Sequence, residues 1–179
     1  MSSEPLVKIQ AGTAAEICQR FHAPPDARAL LREGMGPRQF IEALTAKKQY
    51  LAAIEFLAHA MPAREAIWWG CLCMQHACGE VLTPPERAAG IAAVRWVMQP
   101  TEENRGAARA PADAAGCTSP AGALALAANG GLPPGPYGPA KSVVMAVKLS
   151  ALKSPPAGII EAQRLFVELG VGVAEGKFA

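Results

Sequence analysis

Three cysteines and a histidine lie within eight residues of one segment, at Cys71, Cys73, His76 and Cys78. Thiolate and imidazole groups are the ligands that zinc prefers, in a tetrahedral arrangement. In a helix, Cys71 and Cys78 share one face, whereas Cys73 and His76 share a different one. Because one helix cannot direct both faces at one ion, the spacing favours small buried side chains. We therefore predict no metal ligand and no cofactor. A protein that binds a metal through these thiols, or uses them in redox chemistry, is the less favoured alternative.

The sharpest polar run is Pro100–Arg105, with the sequence PTEENR. Its proline stops one helix, Thr101 caps the next, and two carboxylates then lie at the positive end of that helix. Paired carboxylates also act as general acid and base, but no histidine or metal motif accompanies these, so we predict no catalytic residue. A binding patch is the alternative to the helix cap. Its candidate residues are Arg64, Glu65, Trp68, Trp69, Glu102, Glu103 and Arg105.

All three tryptophans lie in the same part of the chain, at Trp68, Trp69 and Trp96. Adjacent residues of a helix point roughly 100° apart, so Trp68 and Trp69 cannot both enter one core. We expect two tryptophans in the core and one in a groove or at the surface, where tryptophan is a frequent anchor of protein interfaces.

The composition predicts an all-α fold. Of the 179 residues, 51% are hydrophobic, 18% are charged and 37 are alanine, the strongest helix former. Residues with branched β-carbons are scarce, which disfavours strands. A chain of this length forms one domain that can bury a core without disulfides or metals.

Charge and hydropathy argue against several classes of partner. The formal net charge is +2, and residues 1–109 carry 12 basic and 11 acidic side chains against 5 and 4 in residues 110–179. This distribution lacks the one-sided positive field that nucleic acid or anionic lipid requires. The longest apolar run, residues 66–74, is far shorter than the roughly 20 residues of a membrane-spanning helix. Five cysteines, an odd number, and an N-terminal segment without a secretory signal predict a cytoplasmic location.

Proline, glycine and capping residues divide the chain into eight to nine short helices joined by tight turns. Short connections favour antiparallel neighbours, so we predict a single compact helical domain over residues 13–170. An extended N-terminal arm over residues 1–12 precedes it. A glycine-spaced C-terminal tail over residues 171–179 follows and is expected to fray.

Two helices in the middle of this domain carry many of the large apolar side chains. The helix that begins at Pro62 has so wide an apolar surface that we expect it to be central and buried nearly all round. On the helix opened by Thr83, the spacing predicts that Ile91, Val94, Val97 and Met98 face inward. A Pro- and Gly-rich loop over residues 132–139 either connects two helices or is displayed to a partner.

The chain resembles an uncharacterised family of all-helical bacterial domains. Two motifs carry the resemblance: Arg64-Glu-Ala-Ile-Trp-Trp-x-Cys71, and Trp96 followed by Pro100–Arg105. Ala115-Gly116 and the run Ser119-Pro-Ala-Gly-Ala123 extend it, so that it covers about residues 36–174. The resemblance implies no established activity. It does imply an association with bacterial type VI secretion machines, and hence a cytoplasmic adaptor or chaperone whose partner is a secretion effector or spike component.

These observations favour a non-enzymatic protein–protein interaction module. The chain contains none of the motifs Gly-x-x-x-x-Gly-Lys-Ser/Thr, Gly-x-Gly-x-x-Gly, Gly-x-Ser-x-Gly and His-Glu-x-x-His. Their absence removes the most common nucleotide-binding and hydrolytic sites. The alternative is a small-molecule-binding protein or enzyme that uses Glu102, Glu103 and Arg105 in a pocket walled by Trp68 or Trp69.

Overall fold

The computed structural model describes residues 4–79 and 81–178, and these residues form helices and turns without any strand. The all-α prediction is confirmed. In the described part, eleven α-helices and one turn of 3₁₀ helix (Pro156–Gly158) occur, more than the eight to nine predicted. The α-helices are α1 (Ala14–Cys18), α2 (Pro25–Arg28), α3 (Pro37–Ala46), α4 (Tyr50–Ala60), α5 (Ala63–Cys78), α6 (Pro84–Met98), α7 (Glu102–Ala107), α8 (Arg109–Ala115), α9 (Pro120–Asn129), α10 (Gly138–Ala151) and α11 (Ile159–Ala174). Over the same residues, no helix combines the length and the apolar character needed to cross a lipid bilayer.

The helices begin where capping residues predict. Thr83 and Glu86 close a capping box at the start of α6, since the Glu86 carboxylate accepts a hydrogen bond from the Thr83 amide at 3.0 Å. Ser119 caps α9 by accepting a hydrogen bond from the Gly122 amide at 3.0 Å. Pro111 lies in the first turn of α8, where its missing N–H costs no helical hydrogen bond. Helix α7 ends at Ala107, and α8 begins at Arg109, two residues before this proline.

Helix α9 lies at the centre of the bundle. Nine of its ten residues are buried, and it packs against α5, α6, α8 and α10. By contrast, only seven of the 16 residues of α5 are buried, so the prediction that α5 is buried nearly all round is wrong. Alanines and glycines make α9 narrow enough to be surrounded, whereas α5 keeps one face with Trp68 and Leu72 partly exposed.

The two ends of the described chain are joined to each other. The Lys8 amide donates a hydrogen bond to the Ala174 carbonyl at 2.9 Å. The Arg38 guanidinium pairs with the Glu175 carboxylate at 2.7 Å and also donates to the Glu4 carbonyl. The N-terminal arm is thus fixed against the end of α11.

Helix α11 continues to Ala174, beyond Gly170, where the sequence predicts the start of a fraying tail. The residues from Gly170 to Ala174 are buried. A Cβ on Gly170 would lie 2.9 Å from the Trp69 ring, and one on Gly172 would lie 2.6 Å from the Phe178 ring. These glycines therefore permit close packing, a role that the spacing alone does not distinguish from that of a flexible tail.

Candidate functional site

Helix α5 directs its two adjacent tryptophans into different surroundings. Trp69 is fully buried and donates its indole N–H to the Phe166 carbonyl at 2.8 Å. Trp68 is half-buried and donates its indole N–H to the Phe178 carbonyl at 2.7 Å. Trp96 on α6 is 7% exposed. Two tryptophans are thus in the core, and the third lies at a groove, as the helical geometry predicts.

A cavity of about 210 Å³ lies where the start of α5 meets the end of α6. Its walls include Lys8, Arg64, Glu65, Trp68, Met98 and Phe178. The Arg64 Nε donates a hydrogen bond to the Val97 carbonyl at 2.8 Å and so links the two helices. The Lys8 Nζ lies 3.6 Å from the Glu65 carboxylate. The structure therefore places three of the predicted binding residues at one cavity.

A larger apolar groove between α5 and α6 shares Trp68 with this cavity. It has a volume of about 580 Å³, and its walls include Leu72, Leu82, Arg87, Ile91, Val94 and Arg95. The two helices are antiparallel, because the start of α5 contacts the end of α6 and a Cβ on Gly90 would lie 3.3 Å from the Met74 methyl carbon. On the α5 side the groove runs from Trp68 to Gly79, which at roughly 1.5 Å per residue is about 16 Å, or about three helical turns.

Helix α6 turns Ile91 toward this groove and Met98 toward the cavity at Trp68. Ile91 is 54% exposed and Met98 is 67% exposed, so the prediction that they face inward is wrong for these two residues. It is confirmed for Val97, which is 4% exposed, whereas Val94 is half-buried. The buried residues of α6 are Ala89, Gly90, Ala93, Trp96 and Val97. Three of these five are alanine or glycine, which lets α6 pack closely against α9, so side-chain size alone does not identify the buried face of the helix.

The fold concentrates positive charge along this surface although the sequence spreads charge evenly. Over the described residues, the cavity and groove are lined by four cationic side chains and one carboxylate, a net charge of +3 against +2 for the whole chain. The cations are Lys8, Arg64, Arg87 and Arg95, and the carboxylate is Glu65. Arg87 and Arg95 belong to none of the ion pairs found among residues 4–79 and 81–178. Both guanidinium groups are exposed and open to a carboxylate from outside.

The cysteine cluster divides between the core and the surface. Cys71 and Cys73 are buried; burial raises the pKa of the Cys71 thiol to about 12 and raises the pKa of Cys73 well above its usual value. Protonated thiols are poor nucleophiles and poor metal ligands. Cys78 is half-buried and His76 is exposed, so the core-packing prediction is confirmed for two cysteines and is wrong for the histidine. In the described part of the chain, no group of three or more His, Cys, Asp or Glu residues is arranged to hold a metal ion.

The charged residues of the PTEENR run lie at the exposed start of α7. Thr101 caps this helix through its hydroxyl, and Arg105 lies 3.5 Å from Glu102 at a spacing of three. The side chains of Glu102, Glu103 and Arg105 are exposed, and none of them lines the cavity at Trp68. The helix-cap interpretation is confirmed. The structure does not bring the predicted binding residues together in one patch.

The lining residues that the sequence did not predict lie on α6 for the groove and near the described chain ends for the cavity. Arg87, Ile91 and Arg95 follow one another at a spacing of four and form a single stripe on the helix. This stripe is visible in the sequence, but its isoleucine resembles a core residue. Lys8 and Phe178 come from opposite ends of the chain, and no spacing rule connects them with α5.

Comparison with curated proteins found no match, and comparison with solved structures found none either. One family model matches residues 40–174, which is 135 of the 179 residues. The matched region contains both walls of the groove, α5 and α6, but excludes Lys8 and Phe178. The resemblance to an uncharacterised family is confirmed. The chain therefore belongs to DUF6931, a family of unknown function.

Proposed function

We propose that this protein is a non-enzymatic interaction module that binds a protein partner in the groove between α5 and α6. The observation that carries the proposal is the exposed aliphatic stripe of α6, with Ile91 54% exposed, beside the half-buried Trp68. Removing such side chains from water is the main favourable contribution to protein association. A tryptophan surrounded by aliphatic side chains is a typical centre of a binding surface.

The family resemblance supplies a cellular setting for this proposal. In that setting the protein is a cytoplasmic adaptor or chaperone, and its partner is an effector or spike component of a type VI secretion machine. Recovery of such a partner supports the setting. A partner from elsewhere in the cell contradicts the setting but leaves the interaction role in place.

The proposal is tested by replacing Ile91 and a matched residue outside the groove. Ile160 on α11 is 63% exposed, so Ile160→Asp introduces the same change at a distant surface. We expect affinity capture from the cells that make the protein to recover a partner with the wild type and with Ile160→Asp. With Ile91→Asp, its amount falls by about tenfold or more. Equal recovery with both variants, measured by quantitative mass spectrometry, contradicts the proposal.

The cavity beside Trp68 supports a second function, the binding of a small molecule. Lys8, Arg64 and Glu65 provide charges of both signs next to the rings of Trp68 and Phe178. These residues replace Glu102, Glu103 and Arg105 as the polar cluster of the alternative hypothesis. A screen of small polar metabolites by thermal unfolding tests it, with Glu65→Gln as the matched variant. A compound that raises the Tm of the wild type and not of Glu65→Gln supports this function.

A further inference from the structure

We infer that the segment bound in the groove is an amphipathic α-helix whose apolar face is flanked by carboxylates. This inference rests on the proposed function and specifies the chemistry of its partner. It is carried by the arrangement of charge and apolar surface on α6.

The stripe on α6 alternates charge with apolar surface. Arg87 and Arg95 lie eight residues apart, about 12 Å along the helix axis, with Ile91 midway between them. All three residues line the groove, and all three are exposed. A partner helix that covers Ile91 therefore passes both guanidinium groups about two turns apart.

The charge of the groove selects the charge of the partner. Among the described residues that line the groove, two arginines occur and no carboxylate. Glu65 lies at the neighbouring cavity, where Lys8 pairs with it at 3.6 Å. Carboxylates seven or eight residues apart on a partner helix match Arg87 and Arg95, whereas lysines at those positions are repelled.

The backbone of the groove walls favours a helical partner over an extended one. Both walls are α-helices, whose backbone N–H and C=O groups are bonded within each helix, so no sheet edge is offered to an extended segment. A helix satisfies its own backbone groups and needs only to place side chains in an apolar groove. The groove residues on the α5 side run from Trp68 to Gly79, about 16 Å along the axis, which accommodates about three turns of such a helix.

Helix α11 of a second copy of this chain does not supply a suitable acidic face. Helix α11 carries Glu161 and Glu168 seven residues apart, with Ile160 63% exposed beside them. Arg164 lies between these carboxylates and pairs with both. The acidic face of α11 is thus already neutralised.

Two synthetic helical peptides of 18 residues test the inference with the full chain. Both carry leucines on one face; one has glutamates beside the leucines, and the other has lysines at the same positions. Fluorescence anisotropy of the labelled peptides is expected to show that the wild type binds the glutamate peptide about tenfold more tightly than the lysine peptide. The double variant Arg87→Glu/Arg95→Glu is expected to reverse this order.

Matched controls separate the groove from the net charge of the protein. The double variant Arg32→Glu/Lys47→Glu changes the net charge by the same amount at exposed positions outside the groove, and it keeps the wild-type order. If Arg87→Glu/Arg95→Glu fails to fold, Arg87→Gln/Arg95→Gln replaces it and is expected to abolish the preference. Equal binding of the two peptides by the wild type, or no binding of either, overturns the inference. A dimer in sedimentation velocity that Ile91→Asp dissociates makes a second copy the occupant and also overturns it.

The outcomes distinguish this inference from the proposed function. If Ile91→Asp loses the captured partner but the two peptides bind equally, the interaction role stands and the acidic helix is rejected. If Ile91→Asp retains every captured protein and neither peptide binds, both are rejected.

Discussion

Trp69 and Trp96 are both buried, but within residues 4–79 and 81–178 a hydrogen-bond partner for the indole N–H is found for Trp69 alone. The Trp69 Nε1 donates to the Phe166 carbonyl at 2.8 Å. The Trp96 Nε1 has no hydrogen-bond partner among the described residues. An unpaired buried donor costs about 1–3 kcal/mol, so two residues of the same type contribute differently to the stability of the fold.

We therefore expect the two tryptophans to respond differently to replacement by phenylalanine. Trp69→Phe removes the buried hydrogen bond to the Phe166 carbonyl and opens a cavity, and it should lower the free energy of unfolding by about 3 kcal/mol. Trp96→Phe loses some apolar contact but removes the unpaired donor, so its cost should be about 1 kcal/mol. Urea unfolding followed by circular dichroism measures both values. A cost for Trp96→Phe equal to or larger than that for Trp69→Phe contradicts this account.

His59 is the buried residue whose ionisation should couple stability to mildly acidic pH. Its Nδ1 lies 2.8 Å from the Glu55 carbonyl, and its ring stacks on Phe21 with 4.9 Å between ring centroids. Burial lowers the pKa of His59 and outweighs the hydrogen bond to Glu55, which raises it. The folded protein thus holds the neutral imidazole at pH values where the unfolded chain binds a proton.

Stability should accordingly fall as the pH drops below about 6.5, the ordinary pKa of histidine, toward the lowered pKa of the folded state. His59→Phe removes this titration and keeps a ring against Phe21. We expect the free energy of unfolding of the variant to change less between pH 7 and pH 5 (roughly the range of histidine titration) than that of the wild type. Parallel pH profiles of the two proteins would show that His59 does not contribute.

The sequence predicts where helices begin better than it predicts which face of a helix is buried. Thr13, Thr83 and Ser119 accept hydrogen bonds at helix starts where the sequence places them, because capping is a local interaction. The inward face of α6 depends instead on how closely α9 approaches. That distance follows from alanines and glycines on two helices far apart in sequence, so the large side chain of Ile91 indicates the wrong face.

Gly122 at the start of α9 lies against the backbone of Gly116, and its replacement tests how closely the two segments pack. A Cβ on Gly122 would lie 2.0 Å from the Gly116 backbone oxygen, whereas one on Gly106 in α7 meets nothing within 4 Å. Gly122→Ala should therefore destabilise the fold by about 3 kcal/mol. Gly106→Ala should stabilise it by about 0.5–1 kcal/mol, since alanine is the better helix former. Thermal unfolding of the two variants checks the opposite signs.

The carboxylates at the start of α7 provide a second test at this scale. Glu102 and Glu103 lie in the first turn of the helix that Thr101 caps. Replacing both by glutamine should lower the free energy of unfolding by about 1 kcal/mol, because the favourable interaction with the helix dipole is lost. Partner capture should be unchanged. Loss of the partner without loss of stability would assign these residues to binding.

The whole molecule brings together groups that no local pattern connects. The described chain ends meet beside Trp68, where Lys8 from the N-terminal arm and Phe178 from the C-terminal segment line one cavity. The groove continues from there between α5 and α6, both of which lie in the matched region of the family. The sequence predicts Arg64, Glu65 and Trp68 as binding residues. It cannot predict their separation from Glu102, because that follows from the long-range packing of α7 on its neighbours.

The central claim, that this groove binds a partner, is tested most directly by photo-crosslinking in the cells that make the protein. A photoreactive amino acid is placed at position 91 in the groove or at position 160 on α11 as the control. We expect a discrete adduct with a second protein from position 91 and none from position 160. No adduct from position 91, or the same adducts from both positions, would contradict the account.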